Sequence, residues 1–465
     1  MFQKIWQSFL CNQRDNLPPY PTAIASPQQP TPRSTSDRTH FLPKSSTLSI
    51  VTQFYPPDYA ATGQFIQELA AQLGKQGMNV RIFTGQPGYA FETPLAPPIE
   101  SSENLHIRRS RTSRLWPQRI RGRAFNGLLF CLRSALHLIK SAHRGNILLL
   151  TTEPAYLPAI GYLVHLCFGA PYVCLLYDLY PDVAVQLRVV PAKHWLVKLW
   201  DALNRQIWKR ARGVIVLSST MKDRVVRKCP DIEDKISVIH SWADPKWIVP
   251  RHKQDNWFAH QHALVDRFTV LYSGNMGRCH DIETILKAVE HLQNDPIQFV
   301  FIGAGAKRQE FRDRVRELNL KNCLFLPYQD KKHLPYSLTA CDLSLVSISP
   351  GLEGIIAPSK LYGILAAGRP VAAICEPHSY LRQLLAKARC GIAIDNGDGD
   401  RLAQWIRRLT QNPALTARLG ENGRQYLKAN FTPEIVARQY FEILSAEAIA
   451  PTRCSRAKRQ PSQLF

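Results

Sequence analysis

The amino-acid sequence predicts an α/β protein with two doubly wound domains that face a cleft. Its 465 residues exceed the ~250–300 residues at which a single hydrophobic core stops growing, so two domains are expected. Short apolar segments alternate with longer amphipathic stretches, which is the pattern of parallel strands connected by helices. A polar segment at 242–267 interrupts the pattern, which then starts again.

Ten apolar runs predict strands, five in each domain. They lie at 48–52, 80–84, 147–150, 172–177 and 213–217, and at 268–272, 298–302, 323–326, 342–346 and 370–374. We therefore predict an N-terminal domain at 47–241, a linker at 242–267, a C-terminal domain at 268–430 and a last helix at 431–450. Ligands of such sheets bind beyond the carboxyl ends of the strands, so two facing domains form a cleft between those ends.

The two ends of the chain differ in composition from the predicted domains. Much of the stretch 1–46 is rich in Pro, Ser, Thr and Gln, which predicts a disordered lead-in, and 451–465 form a basic tail. The apolar stretch at the start is too short and too interrupted for a secretory signal, and the eleven cysteines stand singly. We expect a cytoplasmic protein whose cysteines are small apolar residues in a reducing compartment.

The longest stretch without Lys, Arg, Asp or Glu, at 154–177, has the length of a membrane span. Gly169 and Pro171 interrupt it. The sequence therefore predicts a helix at 157–168 followed by a strand, rather than a span.

The charge of the chain predicts an anionic partner. Fifty-nine Lys and Arg against 36 Asp and Glu give a net charge of +23, which suits nucleic acid, a phospholipid surface or a phosphorylated small molecule. The segment 106–144 has many Lys and Arg, no acidic residue and interleaved apolar side chains. This composition favours an anionic membrane surface, and nucleic acid is unlikely because no recognition motif accompanies it. The helix at 195–208 could add to this surface, but its apolar stripe is interpreted as core.

The segment 350–371 carries the most informative motif of the C-terminal domain. A loop with two glycines and a proline leads to a helix that opens at Ser359 and ends at Gly368. The N-terminus of a helix presents unpaired N–H groups, and Lys360 adds a full positive charge, so a diphosphate fits here. An ordinary capped helix with a surface lysine is the alternative.

Two glycine-containing turns follow other predicted strands of this domain. Gly274 and Gly277 could free backbone amides for a phosphate, with Arg278 beside them, or could simply form a turn. Gly303 and Gly305 resemble the start of a dinucleotide fingerprint, but Arg308 occupies the place of its third glycine. An NAD enzyme is therefore unlikely.

Three loops of the N-terminal domain offer polar side chains at strand ends. Thr62 and Gly63 stand at a helix start, where an anionic or hydroxylated ligand could approach. Glu153 and Asp178 follow two further strands, and Asp178 could take an acceptor proton or cap its turn. The DxD pattern at 398–400 is interpreted as a helix cap rather than a metal site.

The sequence resembles the family 4 glycosyltransferases of the GT-B fold, which has two Rossmann-like domains, and in particular their exopolysaccharide and O-antigen branch. The resemblance covers the folded part and rests on PSKLY at 358–362 with AAGRPV at 366–371, YPP at 55–57 with TG at 62–63, and DLYPD at 178–182. It implies catalytic roles for Asp178, Glu353 and Lys360. It implies donor binding by Gly274, Asn275, Gly277, Arg278, Gly303, Gly305, Ser359, Lys360 and Tyr362, and acceptor binding by Tyr55, Asp58, Thr62, Gly63 and Glu153.

The chain departs from the family pattern at several positions. Ile355 and Gly363 stand where the family has two glutamates, and Glu353 is a partial substitute for the first. Thr152 replaces the histidine of an HEP-like segment. Asn275 and His280 stand where an arginine and a lysine commonly bind the diphosphate. These departures leave the identity of the donor open.

The expected function is retaining transfer of a hexose-type sugar from a UDP- or GDP-sugar to a polyprenyl- or lipid-linked glycan acceptor in cell-surface polysaccharide synthesis. No metal or other cofactor is expected, and the protein is expected at the inner face of the plasma membrane, as a peripheral protein. A UDP-sugar 2-epimerase of the same fold is one alternative. A membrane-bound scaffold with a degenerate donor site is the other.

Overall fold

A computed structural model of the chain describes residues 47–58, 60–87, 95–110, 120–141 and 146–449. The side chains of 61, 120–124, 141 and 446–449 are outside this description. The lead-in predicted at 1–46 and the tail predicted at 451–465 also lie outside it.

The first sheet has eight strands, in the order β3-β4-β2-β1-β5-β6-β7-β8. They are β1 (Thr47–Val51), β2 (Asn79–Thr84), β3 (Ile99–Ser102), β4 (Leu105–Arg109), β5 (Ile147–Thr151), β6 (Tyr172–Leu176), β7 (Gly213–Val216) and β8 (Ile236–Val238). All pairs are parallel except β3 with β4. The strand order reverses between β1 and β5, which is where doubly wound sheets bind ligands.

Helices cover both faces of this sheet and form the N-terminal lobe with it. They are α1 (Ala61–Lys75), α2 (Ile120–Ser141), α3 (Leu157–Phe168), α4 (Asp182–Gln186), α5 (Trp195–Arg210) and α6 (Ser219–Lys228). Alternate strand residues point to opposite faces. Leu148 and Leu150 pack with α2, α3 and α5 in one core, whereas Ile50 and Leu149 pack with α1 in another.

The second sheet, with its helices, forms the C-terminal lobe. Its order is β11-β10-β9-β12-β13-β14, with β9 (Phe268–Ser273), β10 (Ile297–Ile302), β11 (Cys323–Leu326), β12 (Leu343–Ser347), β13 (Val371–Ile374) and β14 (Gly391–Ile394), all parallel. Its helices are α7 (Trp257–Gln261), α8 (Glu283–His291), α9 (Arg308–Glu317), α10 (Leu334–Thr339), α11 (Lys360–Ala366), α12 (Tyr380–Ala388), α13 (Gly399–Thr410) and α14 (Pro413–Asn430). The strand order is that of a Rossmann domain, with its reversal between β9 and β12.

The last helix, α15 (Pro433–Ile449), returns to the N-terminal lobe. Val436, Tyr440 and Leu444 are buried in the same core as α1. The chain therefore crosses between the lobes twice. The two crossings touch, because the backbone N–H of Ala243 donates to the carbonyl of Phe431 at 3.3 Å.

The buried Arg424 holds the first crossing against the C-terminal lobe. Its guanidinium donates to the carbonyls of Ile248 and Pro245, each at 2.9 Å, and to that of Ala366. The guanidinium thus supplies hydrogen bonds to carbonyl groups of the crossing segment. Because the donor is charged, these hydrogen bonds are stronger than those of a neutral donor.

The prediction of two doubly wound α/β domains is confirmed, and all ten predicted strands are present. Four further strands were not predicted: β3 and β4 are polar or basic, and β8 and β14 have three and four residues. The helix at 157–168 ends as predicted at Gly169, which has a φ of +70°. Across the described ranges, none of the helices combines the length and apolarity that crossing a bilayer demands.

The interpretation of the stripe at 195–208 as core is only partly correct. Ile207 and Trp208 are buried under the sheet. Trp195 and Leu199 are 65% and 56% exposed. The first half of α5 therefore carries its apolar side chains on the surface, because its core-facing side is limited to the C-terminal half.

Candidate active site

The predicted site residues lie beyond the carboxyl ends of the strands, on loops or in the first turn of the helix that follows, and these segments meet between the lobes. In the N-terminal lobe they follow β1, β5 and β6, and in the C-terminal lobe they follow β9, β10 and β12. The two sets touch directly, since the N–H of Leu179 donates to the carbonyl of Ile355 at 2.9 Å. The reversal point of each sheet thus contributes to one cleft.

Lys360 is the charged group at the centre of the C-terminal half of this cleft. Its ammonium Nζ is buried with no hydrogen-bond partner among the described residues and lies 3.8 Å from the centroid of the Tyr272 ring. Burial lowers the pKa of Lys360 to about 7. An unpaired buried cation is costly unless a ligand supplies the opposite charge.

The glycine turn after β9 lies beside this ammonium. A Cβ added to Gly274, whose φ is +127°, would lie 3.6 Å from Lys360 Nζ. The turn also packs closely on the loop after β10, because a Cβ at Gly303 would lie 2.1 Å from the carbonyl oxygen of Gly274. The two loops are further joined by a hydrogen bond from Met276 N–H to the Ala304 carbonyl at 2.7 Å. Close backbone approach therefore explains the glycines.

Other predicted donor-site residues surround this pair of loops. Asn275 and Arg278 have exposed side chains, and a Cβ at Gly305 would lie 2.4 Å from Asn275 Oδ1. A Cβ at Gly277 would lie 3.0 Å from Asn275 Nδ2. Ser359 precedes α11 without capping it through its side chain.

His280, which stands where the family has a cation, is not a cation here. Its Nδ1 lies 2.8 Å from the carbonyl oxygen of Ser347. Burial, with the charge of Lys360, lowers the pKa of His280 to about 3. The imidazole is neutral, so His280 does not supply the positive charge that the family has at this position.

Glu353 joins the two lobes. Its Oε1 accepts a hydrogen bond from Thr220 Oγ1 of α6 at 2.6 Å, and its side chain is buried. Arg224, one turn later on α6, donates to the carbonyls of Glu353 and Gly351 at 2.6 and 3.1 Å. Oε2 of Glu353 is buried with no partner among the described residues. One oxygen thus joins the lobes, and the hydrogen-bonding capacity of the other is unused among the described residues.

Tyr362 is buried and points away from the donor loops, toward the crossing segment. Its hydroxyl is 3.1 Å from His240 Nδ1, and its ring packs edge-on against Phe431. Burial lowers the pKa of His240 to about 4. These contacts favour a packing role for Tyr362 between the lobes, and its predicted role in donor binding stays a prediction.

A cluster of carboxyl groups forms the N-terminal half of the cleft. Thr62 Oγ1 donates to a carboxylate oxygen of Glu153. The pKa of Glu153 is raised to about 7, mainly because the group is buried; the Thr62 hydrogen bond lowers this pKa, and the charges of Asp178 and Asp58 raise it. Burial also raises the pKa of Asp178 to about 6. Side chains from three loops thus converge on groups that titrate near neutrality.

Thr152, which replaces the family histidine, positions the loop of Asp178. Its Oγ1 accepts hydrogen bonds from the N–H groups of Tyr177 and Asp178 at 3.0 and 3.3 Å. Asp178 also faces the C-terminal lobe. Its charge contributes, after burial, to raising the pKa of the Cys279 thiol to about 11.

Tyr55, in the loop after β1, and Gly63, in the first turn of α1, are both tightly packed. Tyr55 is buried, with the Arg109 guanidinium 5.6 Å from its ring centroid. A Cβ at Gly63 would lie 2.9 Å from the carbonyl carbon of Phe54. This packing positions Asp58 in the loop and Thr62 at the start of α1. The acceptor roles of Tyr55 and Gly63 stay predictions.

The DxD pattern at 398–400 lies outside this cleft. Asp398 caps α13 by accepting from the N–H of Arg401 at 3.0 Å, as predicted, and Asp400 pairs with His291 at 2.9 Å. The described residues contain no group of three or more His, Cys, Asp or Glu arranged to hold a metal ion.

Sequence reasoning did not identify Thr220, Arg224 or His240 as part of this region. Each contributes through contacts between the lobes that are more than 120 residues apart in sequence. A local motif therefore contains no signal for them.

Comparisons with known proteins relate both lobes to glycosyltransferases. The pattern described as "Glycosyl transferase 4-like domain" matches residues 61–242, and that described as "Glycosyl transferases group 1" matches residues 253–426. A probable glycosyltransferase, WbjE, of Pseudomonas aeruginosa is 26% identical, covering 84% of this chain and 96% of that protein. The putative colanic acid biosynthesis glycosyl transferase WcaI of Escherichia coli is 24% identical, covering 83% and 96%.

A solved structure shares the fold. Anabaena HepE, crystallised with UDP and glucose, aligns with a TM-score of 0.65 at 15% identity, over 86% of this chain and 100% of that one.

Proposed function

Because the chain belongs to the glycosyltransferases, through a 4-like domain and a group 1 domain, we propose that it transfers a hexose from a UDP- or GDP-sugar to a lipid-linked glycan. The reaction retains the anomeric configuration and serves the synthesis of a cell-surface polysaccharide. The name of the relative WcaI and the ligands of HepE support the pathway and the donor class.

The single observation that carries the proposal is the unpaired ammonium of Lys360, buried beside the glycine turn at 274. When the sugar is transferred, negative charge accumulates on the departing diphosphate. The ammonium form of a buried lysine beside the diphosphate stabilises that charge, because water does not screen the interaction. Arg278, exposed at the same turn, adds a second positive charge as the nucleotide enters.

The carboxyl cluster of the N-terminal lobe serves the acceptor. Carboxylates accept hydrogen bonds from sugar hydroxyls, and a carboxyl group with a pKa near neutrality can exchange a proton at physiological pH. We assign proton acceptance from the attacking hydroxyl to Asp178, which faces the C-terminal lobe, and acceptor binding to Glu153, Asp58 and Thr62. The free oxygen of Glu353 is assigned to a hydroxyl of the donor sugar.

No metal ion takes part in this proposal. The diphosphate charge is neutralised by Lys360, Arg278 and the backbone N–H groups of Asn275 and Gly277. The N–H groups of Gly274 and Met276 instead donate to the carbonyls of Ile302 and Ala304. Transfer activity should therefore be the same in EDTA as in magnesium, and a strict requirement for a divalent cation would contradict this part of the proposal.

The test is a panel of UDP- and GDP-sugars with membrane lipid extract as acceptor, together with calorimetry of UDP and GDP. We expect one nucleotide to bind, and radiolabel from its sugar to enter the lipid fraction. Lys360→Met should abolish both signals, and Lys321→Met, an exposed lysine of the same lobe, should change neither. Isomerisation of the donor without an acceptor would identify an epimerase, and binding of neither nucleotide would identify a scaffold.

A further inference from the structure

The helical layer formed by α2, α3 and α5 is apolar on its outer side as well as its inner side. In α2 the residues Gly127, Phe130, Cys131 and Leu138 face the sheet and are buried. The opposite side exposes the large apolar residues Phe125, Leu128, Leu132, Leu136 and Ile139. The spacing of three or four residues places the exposed set along one stripe.

The neighbouring helices continue this stripe into a surface. Helix α3 packs between α2 and α5 and exposes Leu163, Leu166 and Phe168. Helix α5 exposes Trp195, Leu196, Leu199 and Leu203. These twelve side chains on three adjacent helices, which we call the outer platform, are twelve of the twenty large apolar side chains exposed among the described residues. Single exposed apolar residues are ordinary, but a contiguous group marks an interaction surface.

The charge around the outer platform is positive, which favours an anionic partner. The sequences of α2, α3 and α5 contain eight Lys or Arg and one acidic residue, Asp201. Asp201 pairs with Lys228 of α6 at 2.6 Å, so it does not oppose an anion. Lys140, Lys198 and Arg205 are exposed beside the apolar side chains. Apolar and aromatic residues bordered by cations suit the boundary between anionic headgroups and acyl chains.

The position of the outer platform connects it to the acceptor half of the cleft. A Cβ at Gly127 of α2 would lie 2.5 Å from the hydroxyl oxygen of Tyr156, on the loop that carries Glu153. On the other side, Trp200 of α5 stacks on Tyr180 with ring centroids 6.0 Å apart, and Asn204 donates to the Tyr180 carbonyl at 2.7 Å. Both outer helices thus border loops that carry carboxyl groups of the site.

We infer that the outer platform docks on an anionic lipid bilayer and so holds the acceptor half of the cleft next to the membrane surface. The inference deepens the proposed function, since a lipid-linked acceptor lies in that surface. The apolar side chains enter the headgroup boundary and the surrounding cations attract the anionic lipids. The docked protein lies on the bilayer without crossing it.

The experiment measures flotation of the full chain with vesicles of phosphatidylcholine, with or without phosphatidylglycerol. We expect binding to the anionic vesicles and a blue shift in tryptophan emission that Trp195→Phe reduces. Leu132→Glu with Leu136→Glu should weaken binding about tenfold or more, because charged side chains cannot enter the boundary. The matched control, Val249→Glu with Leu318→Glu, places the same charges on exposed positions outside the outer platform and should bind like the wild type.

A second pair of substitutions tests the electrostatic part of membrane binding, and circular dichroism checks that the variant is folded. Lys198→Glu with Arg205→Glu should weaken binding to anionic vesicles, and near-UV circular dichroism should match the wild type. Equal flotation of the outer-platform variant and its control would overturn the inference. So would a wild type that ignores vesicles and forms dimers lost in the Leu132 and Leu136 variant, since the surface would then join two copies of the chain.

Nucleotide binding, measured on the same samples, keeps the two proposals apart. A protein that binds UDP or GDP but no vesicles contradicts only the docking inference. One that binds vesicles but neither nucleotide contradicts only the proposed function.

Discussion

Thr220 Oγ1 donates a hydrogen bond of 2.6 Å to the carboxylate of Glu353 across the boundary between the lobes. Glu353 stands two residues from the position where the resembled family has a sugar-binding glutamate. In this chain the carboxylate is anchored by a residue of the opposite lobe. Donor binding in the C-terminal lobe and the relative position of the N-terminal lobe are therefore connected through one side chain.

This contact predicts that Thr220→Val and Glu353→Gln destabilise the protein by about 1–2 kcal/mol each, since each impairs a buried hydrogen bond to a charged group. In the double variant the two effects should not add, because both changes affect the same bond. Urea unfolding of the four proteins measures the coupling energy. Additive effects would show that the hydrogen bond does not contribute to stability.

The same variants test the free oxygen of Glu353. If it binds the donor sugar, Glu353→Gln should raise KM for the nucleotide sugar while the affinity for the nucleotide alone stays unchanged. Thr220→Val keeps the carboxylate and is the matched control, with a smaller effect on KM. An unchanged KM in Glu353→Gln would contradict the sugar contact.

The titration of Lys360 should be detectable as proton uptake when the nucleotide binds. Its pKa of about 7 is expected to rise toward its ordinary value of 10.5 when an anionic diphosphate binds. Between pH 7 and 10 nucleotide binding should therefore take up a proton, and the affinity should fall as pH rises. Calorimetry in buffers of different ionisation enthalpy measures this uptake, and Lys360→Met should remove it together with binding. Nucleotide binding without proton uptake at pH 8 would contradict the pKa.

The same lysine should make stability rise with pH, whereas it makes nucleotide affinity fall. Because its pKa is lowered on folding, the unfolded chain binds more protons between about pH 7 and 10.5, so wild-type stability should gain from rising pH in that window. Lys360→Met removes a buried charge and should raise the free energy of unfolding at pH 7 by a few kcal/mol. Thermal unfolding at pH 7 and 10 tests this, with Lys321→Met as control. A Met variant less stable than the wild type would be the contrary result.

Glu153 should change the pH dependence of stability in the opposite direction to Lys360. Its pKa is raised from 4.5 to about 7 by burial, so the folded state binds more protons between these values and its contribution to stability is lost as pH rises through that window. Glu153→Gln should therefore raise stability at pH 8, by roughly 2–3 kcal/mol, and flatten the dependence on pH between 5 and 8. It should also weaken acceptor use. Thr62→Val, which removes the donor to the same carboxylate, should lower stability at pH 8.

Sequence patterns predicted the two sheets because each apolar run is local and its length distinguishes strand from helix. They also identified Lys360 and the glycine turns as candidate residues beyond the strand ends, since each belongs to a contiguous motif. For the stripe that contains Trp195 and Leu199 on α5 they favoured core over a membrane-facing surface, because an apolar stripe has the same periodicity whether it faces a core or a partner. Nor did they predict Thr220 or His240, whose roles depend on the opposite lobe.

Gly303 and Gly397 form a matched pair for the last prediction. Both have positive φ, +132° and +90°, but a Cβ would meet the Gly274 carbonyl oxygen at 2.1 Å in the first and nothing within 4 Å in the second. Alanine at either position incurs backbone strain of about 1–2 kcal/mol. Gly303→Ala must in addition push the turn at Gly274 away from the loop after β10, and thereby move the backbone beside Lys360. We expect Gly303→Ala to lose nucleotide binding at least tenfold by calorimetry, whereas Gly397→Ala loses only stability. Equal affinity in the two variants would show that close packing of the two loops does not position the diphosphate site.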